Sequence, residues 1–161
     1  MTLTPQTPYI PSTPTDQKTL FTVEVSVVFF KTLGNEGKHE TGMMTGVIKH
    51  TDELYSVPAE KMKHGETIEQ IKKRIIEKHV TNKAALHYSD AVFSGVLDVT
   101  NRYLGDSENR VCLIYSAYIP EFSVNFGLEW MVQDDLISAL NSQKFAKDHS
   151  QIIAKSILTN G

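Results

Sequence analysis

The run Leu20 to Lys31, LFTVEVSVVFFK, constrains this chain more than any other stretch. It is long, largely apolar, and built from β-branched and aromatic residues. Such residues pack well on a pleated surface and resist helix, so the run reads as a central strand of a sheet. Val111 to Ile119 is a second strongly apolar strand. Shorter strands are expected at Met43–His50, Leu54–Val57, Ala91–Val99 and Leu128–Val132, with Pro58 ending the second of these. Between them, Ile68, Ile71, Ile75 and Ile76 recur at helical spacing within Glu66–Val80, and Glu69, Lys72, Lys73 and Glu77 fill the other side. His64-Gly65 supplies the turn before this helix, and Glu66 in its first turn suits the helix dipole. Residues 84–89 read as a short helix or a loop. Asp134–Leu140 reads as a short helix capped by Asp134, and Asp148–Leu158 as a terminal helix capped by Asp148. Strands, helix, strands, helix is the order of an α/β sandwich with a mixed sheet and few βαβ units.

A chain of 161 residues suits one domain with a substantial core. Residues 1–18 are set apart as a Thr- and Pro-rich arm, with Pro5, Pro8, Pro11 and Pro14 evenly spaced; proline removes backbone donors and holds its neighbours extended. The folded domain is expected over 19–161. Net charge is −3 and the basic residues are scattered, so no clustered basic face is expected and direct nucleic-acid binding is not. Lys72, Lys73 and Arg74 read as a solvated helix face. Cys112, the single cysteine, lies within an apolar strand and reads as a small core residue. No apolar run reaches the roughly 18 residues that span a bilayer, and the first residues lack the basic and apolar regions of a signal peptide, so a cytoplasmic protein is expected.

The segment VPAEKMKHGETIEQIKKR, Val57 to Arg74, resembles the start of a Nudix box, whose pattern is G-x5-E-x7-R-E-U-x-E-E-x-G-U with U aliphatic. Val57-Pro58 stands for the preceding Leu-Pro doublet, Glu66 for the first Glu, Arg74 for the Arg and Ile76 for the aliphatic position. Beyond the box, Tyr88, the Arg102 to Arg110 loop, the strand from Val111 to Tyr118 and Pro120 are similar to the strand-loop-strand of Nudix enzymes acting on ADP-ribose. Trp130 to Leu136 and the stretch Phe145-Ala-Lys-Asp-His149 with Ile152-Ile153 are similar to the end of that subfamily and of the sensor domains of NAD-metabolism repressors. The likeness covers roughly residues 20 to 158 and implies a single-domain Nudix-type α/β/α sandwich.

The departures fall on the chemistry. The Gly that opens the family box is Glu60 here, and the three later box glutamates fall on Ile75, Lys78 and His79, with Thr81 at the closing Gly. Those glutamates imply a Mg²⁺ site in the family. Magnesium wants hard anionic oxygens in near-octahedral geometry, which isoleucine and lysine do not supply. Glu66 and Glu77 share a side of one ideal helix but stand about 16 Å apart along it, too far to share an ion. Glu60, folding back from the preceding loop, and Glu69, at a stretch, are the other carboxylates that could join Glu66 on a metal. A simpler role for Glu66 is pairing with Arg74.

Three readings follow. The first is a Nudix-fold module that binds ADP-ribose or a related nucleoside diphosphate without efficient hydrolysis, as a sensor or regulatory domain. Arg102 and Arg110 flank a loop that could clamp phosphate bidentately, Arg74 is a further candidate ligand residue, and Phe122 and Phe126 could stack an adenine or belong to the core. The second is a hydrolase of nucleoside diphosphates linked to a second group, using Glu60, Glu66 and Glu77 with Mg²⁺. The third is a protein-interaction domain in which the arm docks on a partner or exchanges within a homodimer.

Overall fold

The computed structural model describes residues 21–32, 43–51, 53–80, 90–100, 109–119, 127–146 and 148–160. The expected arm at 1–18, the 84–89 segment, Arg102, Phe122 and Phe126 lie outside these residues.

Among the described residues, seven strands form one mixed sheet: β1 (Phe21–Thr32), β2 (Met43–Thr51), β3 (Leu54–Ser56), β4 (Ala59–Lys61), β5 (Val92–Thr100), β6 (Asn109–Tyr118) and β7 (Glu129–Val132). Three helices accompany them: α1 (Ile68–His79), α2 (Gln133–Asn141) and α3 (His149–Asn160). The strand order is β3-β2-β1-β6-β5, with β4 joining β1 and β7 joining β2. β1 and β6 run parallel from Phe21↔Asn109 to Phe30↔Tyr118. The pairs that β1 makes with β2 and β4, and β6 with β5, are antiparallel.

The run read as a central strand is β1, and its unbroken apolar character has a plain cause: both of its faces are covered. Val25, Val27 and Phe29 point to one side and pack with Ile71, Ile75 and Ile76 of α1. Val28 and Phe30 point to the other and pack with Leu136 and Ala139 of α2 and Ile152 and Ile153 of α3. The result is the expected α/β/α sandwich with two cores. Cys112 is fully buried in the second, as expected; burial is the largest influence raising its thiol pKa, with the Glu24 and Asp148 charges adding to it. No helix among the described residues is long and apolar enough to cross a membrane.

Several boundaries differ from the sequence reading. β3 ends at Ser56, as expected of Pro58, but strand pairing resumes directly after this proline. Its carbonyl accepts hydrogen bonds from Ser26 Oγ at 2.8 Å and Val27 N at 3.2 Å, which steers the chain back onto β1 as β4. Glu60 therefore sits on a strand, opposite Val25, and not on a loop. Asp134 does not cap α2: the cap position is Val132, and Asp134 lies in the first turn. At α3 the Asp148 carbonyl accepts from Gln151 N and Ile152 N, while its carboxylate is turned to Arg110. His149 is more than a packed residue, because its Nδ1 accepts from Val57 N at 3.0 Å and ties α3 to the end of β3.

Lys72 is the largest departure. It was expected on a solvated face but is buried, its ammonium 4.5 Å from the centroid of the Tyr115 ring, 3.4 Å from Ala91 O and 3.5 Å from Glu69 Oε2. A long lysine stem covers apolar surface while its head finds partners at the edge. Only Lys73 of the basic trio is exposed.

Ile71 and Ile75 are both fully buried between α1 and β1. Truncating either to alanine leaves a cavity beside a stiff sheet, and Ile71→Ala is expected to lower unfolding free energy by about 2–5 kcal/mol in urea titration. A loss well under 1 kcal/mol would mean that α1 docks loosely.

Candidate functional site

The site is built where the chain enters α1. After β4, the turn passes through Gly65 at φ 79°, in the left-handed region that glycine enters without strain. Thr67 is the N-cap. Its hydroxyl accepts from Gln70 N at 3.2 Å, and Gln70 Oε1 accepts from Thr67 N at 2.8 Å, so the two residues form a reciprocal capping box. Glu66 therefore stands just ahead of the cap and not in the first turn, as the sequence had suggested. The separation computed for Glu66 and Glu77 along one ideal helix does not apply, although both line the same open groove along α1.

Arg74 organises this entry. Its Nε and Nη2 donate to Glu66 Oε2 and Oε1 at 3.0 and 3.1 Å, a bidentate fork. Nη1 donates to Glu60 Oε1 at 2.8 Å, and Nη2 also reaches Lys61 O at 3.0 Å. One guanidinium thus joins β4, the turn and the helix. Glu66 accepts a further hydrogen bond from Lys63 N at 2.9 Å. The Arg74 hydrogen bond is the main cause holding the Glu66 carboxyl below its ordinary value near 4.5, with the Lys63 amide adding to it, and the same contact raises Arg74. The pairing of Glu66 with Arg74 is as the sequence reading preferred. A fourth charge completes the cluster, since Lys78 Nζ lies 3.5 Å from Glu60 Oε2.

The positions that would carry metal-binding carboxylates in the resembled box are differently made. Ile75 is fully buried, Lys78 is a cation, and His79 is buried with its ring centroid 6.2 Å from that of Phe29. Glu60 and Glu66 aim their oxygens at a guanidinium and an ammonium. Among the described residues, no group of three or more His, Cys, Asp or Glu side chains is arranged to hold a metal ion. Magnesium asks for several unclaimed hard oxygens, and this arrangement of donors does not fit it.

Arg110, expected beside a phosphate-clamping loop, lies on β6 facing α3. Its Nη2 donates to Asp148 Oδ1 at 2.7 Å, and its Nε is 3.7 Å from Glu24 Oε1, with all three side chains largely buried. Burial opposes its charge, and the Glu24 and Asp148 carboxylates outweigh that cost, so its pKa is raised. The structure does not bring Arg110 together with Arg74: the first faces α3, the second belongs to the α1 side. The sequence reading also missed the Lys31–Trp130 stack. Lys31 Nζ sits 4.5 Å from the Trp130 ring centroid, and Gly46, paired with Trp130 across β2 and β7, leaves room for the indole. A Cβ at Gly46 would approach the ring to 3.3 Å. Strand pairing across about 85 residues made this contact, and no local pattern signals it.

A mixed sheet with a capped, arginine-clamped helix on one face and two helices on the other is the Nudix fold. The Nudix domain of Shewanella oneidensis NrtR, solved with ADP ribose, superposes with a TM-score of 0.62 at 15% identity, covering 95% of this chain and 94% of that one. A MutT/nudix family protein from Enterococcus faecalis gives 0.63 at 16% identity, covering 96% of this chain and 64% of that one. A bifunctional NMN adenylyltransferase/ADP ribose pyrophosphatase from Francisella tularensis, solved with AMP and a manganese ion, gives 0.59 at 16% identity, covering 89% of this chain and 43% of that one. No family model and no curated protein matches the chain.

Two outcomes test this geometry. Because the folded-state pKa of Glu66 is lowered, its pairing stabilises the fold above the unfolded carboxylate pKa and is lost as pH falls through the folded value. Glu66→Gln is expected to flatten that acid limb in thermal melts taken across pH; a limb identical to wild type would assign the acid sensitivity to other carboxylates. Arg110→Met strands the Asp148 and Glu24 carboxylates in the core and is expected to cost about 3–5 kcal/mol in chemical denaturation. A neutral result would show that the carboxylates protonate without penalty.

Proposed function

We propose that this Nudix-fold domain binds ADP-ribose or a related nucleoside diphosphate derivative without hydrolysing it efficiently, in a sensor or regulatory role. One observation carries the reading: both carboxylates available at the α1 entry, Glu60 and Glu66, are held by cations of the chain itself. Hydrolysis of a diphosphate needs phosphorus polarised and water activated, which a bound metal ordinarily supplies. Carboxylates committed to Arg74 and Lys78 are poorly placed to gather such an ion. The ligand class is supported by the neighbours of the fold, of which one was solved with ADP ribose and another with AMP.

A phosphorus NMR time course of ADP-ribose with Mg²⁺ and stoichiometric protein tests this directly. The diphosphate resonances are expected to broaden or shift and then persist for hours. Growth of monophosphate resonances would establish a hydrolase instead, and Glu60, Glu66 and Glu77 would then be the first substitutions to make. In a parallel melt, ADP-ribose at 100 times its Kd is expected to stabilise the fold by about 2.7 kcal/mol. Unperturbed resonances together with an unmoved melt would remove this ligand class.

A further inference from the structure

The α1 cluster holds two carboxylates and two cations. Glu60 and Glu66 face Arg74 and Lys78, so the four formal charges cancel. The two cations are not equivalent. Arg74 makes four hydrogen bonds, to Glu66 twice, to Glu60 and to Lys61 O, and its side chain is 27% exposed. Its donors are largely committed, although the guanidinium still borders the open groove along α1. Lys78 is 61% exposed, and its contact with Glu60, at 3.5 Å, is too long for a strong hydrogen bond. An ammonium carries three donors on a flexible stem, so Lys78 has donors to spare and room to turn. Its backbone is nonetheless fixed, because Ile71, Ile75 and Ile76 lock the same helix to β1. Lys78 and Arg74 are four residues apart and so share one face of the helix. Glu60, which reaches both, stays bonded to Arg74 if Lys78 leaves it.

We propose that the Lys78 ammonium stands in for the divalent cation of a metal-dependent diphosphate site, so that this domain grips the diphosphate of its ligand without a metal. The inference rests on the binding reading above and assigns the residue and the metal-independence within it. On binding, Lys78 exchanges one anion for another, from the Glu60 carboxylate to a diphosphate oxygen. The exchange keeps Lys78 paired in both states, and Glu60 remains neutralised by Arg74. An ammonium supplies charge but has no open coordination position at which to activate water, so such a grip holds the diphosphate without cleaving it. A divalent ion approaching the same place meets two cations already there.

Calorimetric titrations of the full chain with ADP-ribose and with inorganic diphosphate, each in EDTA and in Mg²⁺, decide the matter. Wild type is expected to bind both ligands with affinities in the two buffers that agree within about twofold. Lys78→Ala is expected to weaken both by about 10–100-fold, the usual worth of a charge-assisted hydrogen bond. It should do so with an unchanged melting temperature, since an exposed ion pair contributes little to folding. Lys49→Ala, at an exposed lysine on β2 that does not line the α1 groove, reports on general charge and is expected to bind like wild type. Binding that requires Mg²⁺, or Lys78→Ala binding like wild type, would overturn the assignment while leaving the ligand reading in place. Lys78-dependent capture of inorganic diphosphate in EDTA with no response to ADP-ribose would do the reverse, supporting Lys78 and removing that ligand. No binding of either ligand in either buffer would remove both.

Discussion

From Phe21 to Phe30, β1 runs parallel to β6 in the middle of the sheet, and from Glu24 to Phe30 it is buried on both faces. Most of the architecture follows from that burial. A strand apolar on both sides must be covered on both sides, and α1 covers one while α2 and α3 cover the other. Two buried polar residues of β1, Ser26 and Glu24, each have a partner that ties down another segment. Ser26 holds Pro58 and so turns the chain into β4. Glu24 lies with Arg110 in the pocket of charge that fastens the start of α3. Central burial thus dictates where the peripheral elements attach.

The candidate site inherits its rigidity from the same source. Glu60 is placed by pairing with Val25, and Arg74 and Lys78 are placed by a helix whose isoleucines are packed against β1. The charges themselves are at the surface, where ion pairs contribute little to stability. What they contribute is arrangement. A bidentate arginine fork fixes orientation as well as distance, so the β4–α1 entry is geometrically defined although it is a turn. The candidate site is thus a charged surface feature on a well-packed support.

Much of the fold was legible in the sequence because its signals are local. The long apolar run gave β1, the isoleucine spacing gave α1, and the chain order gave a mixed sheet between helices. Glu66 and Arg74 were legible as a pair through the resemblance of their spacing to a known box. The failures share a cause, which is that the deciding partner lies far along the chain. Lys72 looked solvated because its neighbours in sequence are charged, yet Tyr115 and Ala91 bury it. Arg110 looked like a loop residue, yet Asp148 claims it. Glu60 looked like a loop carboxylate, yet β1 takes it into the sheet. Asp148 does stand at the cap position ahead of α3, its carbonyl accepting from Ile152 N, but its carboxylate is bonded to Arg110. In each case a tertiary contact, whether a ring, a strand or an opposite charge, decided what the local preference could not, and period or propensity carries no trace of that.

The burial of Ile75 also bears on how easily such a domain is redesigned. Its side chain is fully enclosed between α1 and β1, so a carboxylate introduced there alone would enter an apolar, water-free volume and would take up a proton before it gathered an ion. Exchanging Lys78 alone for a carboxylate would place a third anion beside Glu60 and Glu66, with only Arg74 to neutralise them. Each single step toward a metal-binding helix is therefore uphill, and only a concerted set that also opens the packing around position 75 descends again. Building further metal ligands into α1 is for that reason a problem of remodelling a hydrophobic core before it is a problem of choosing donors.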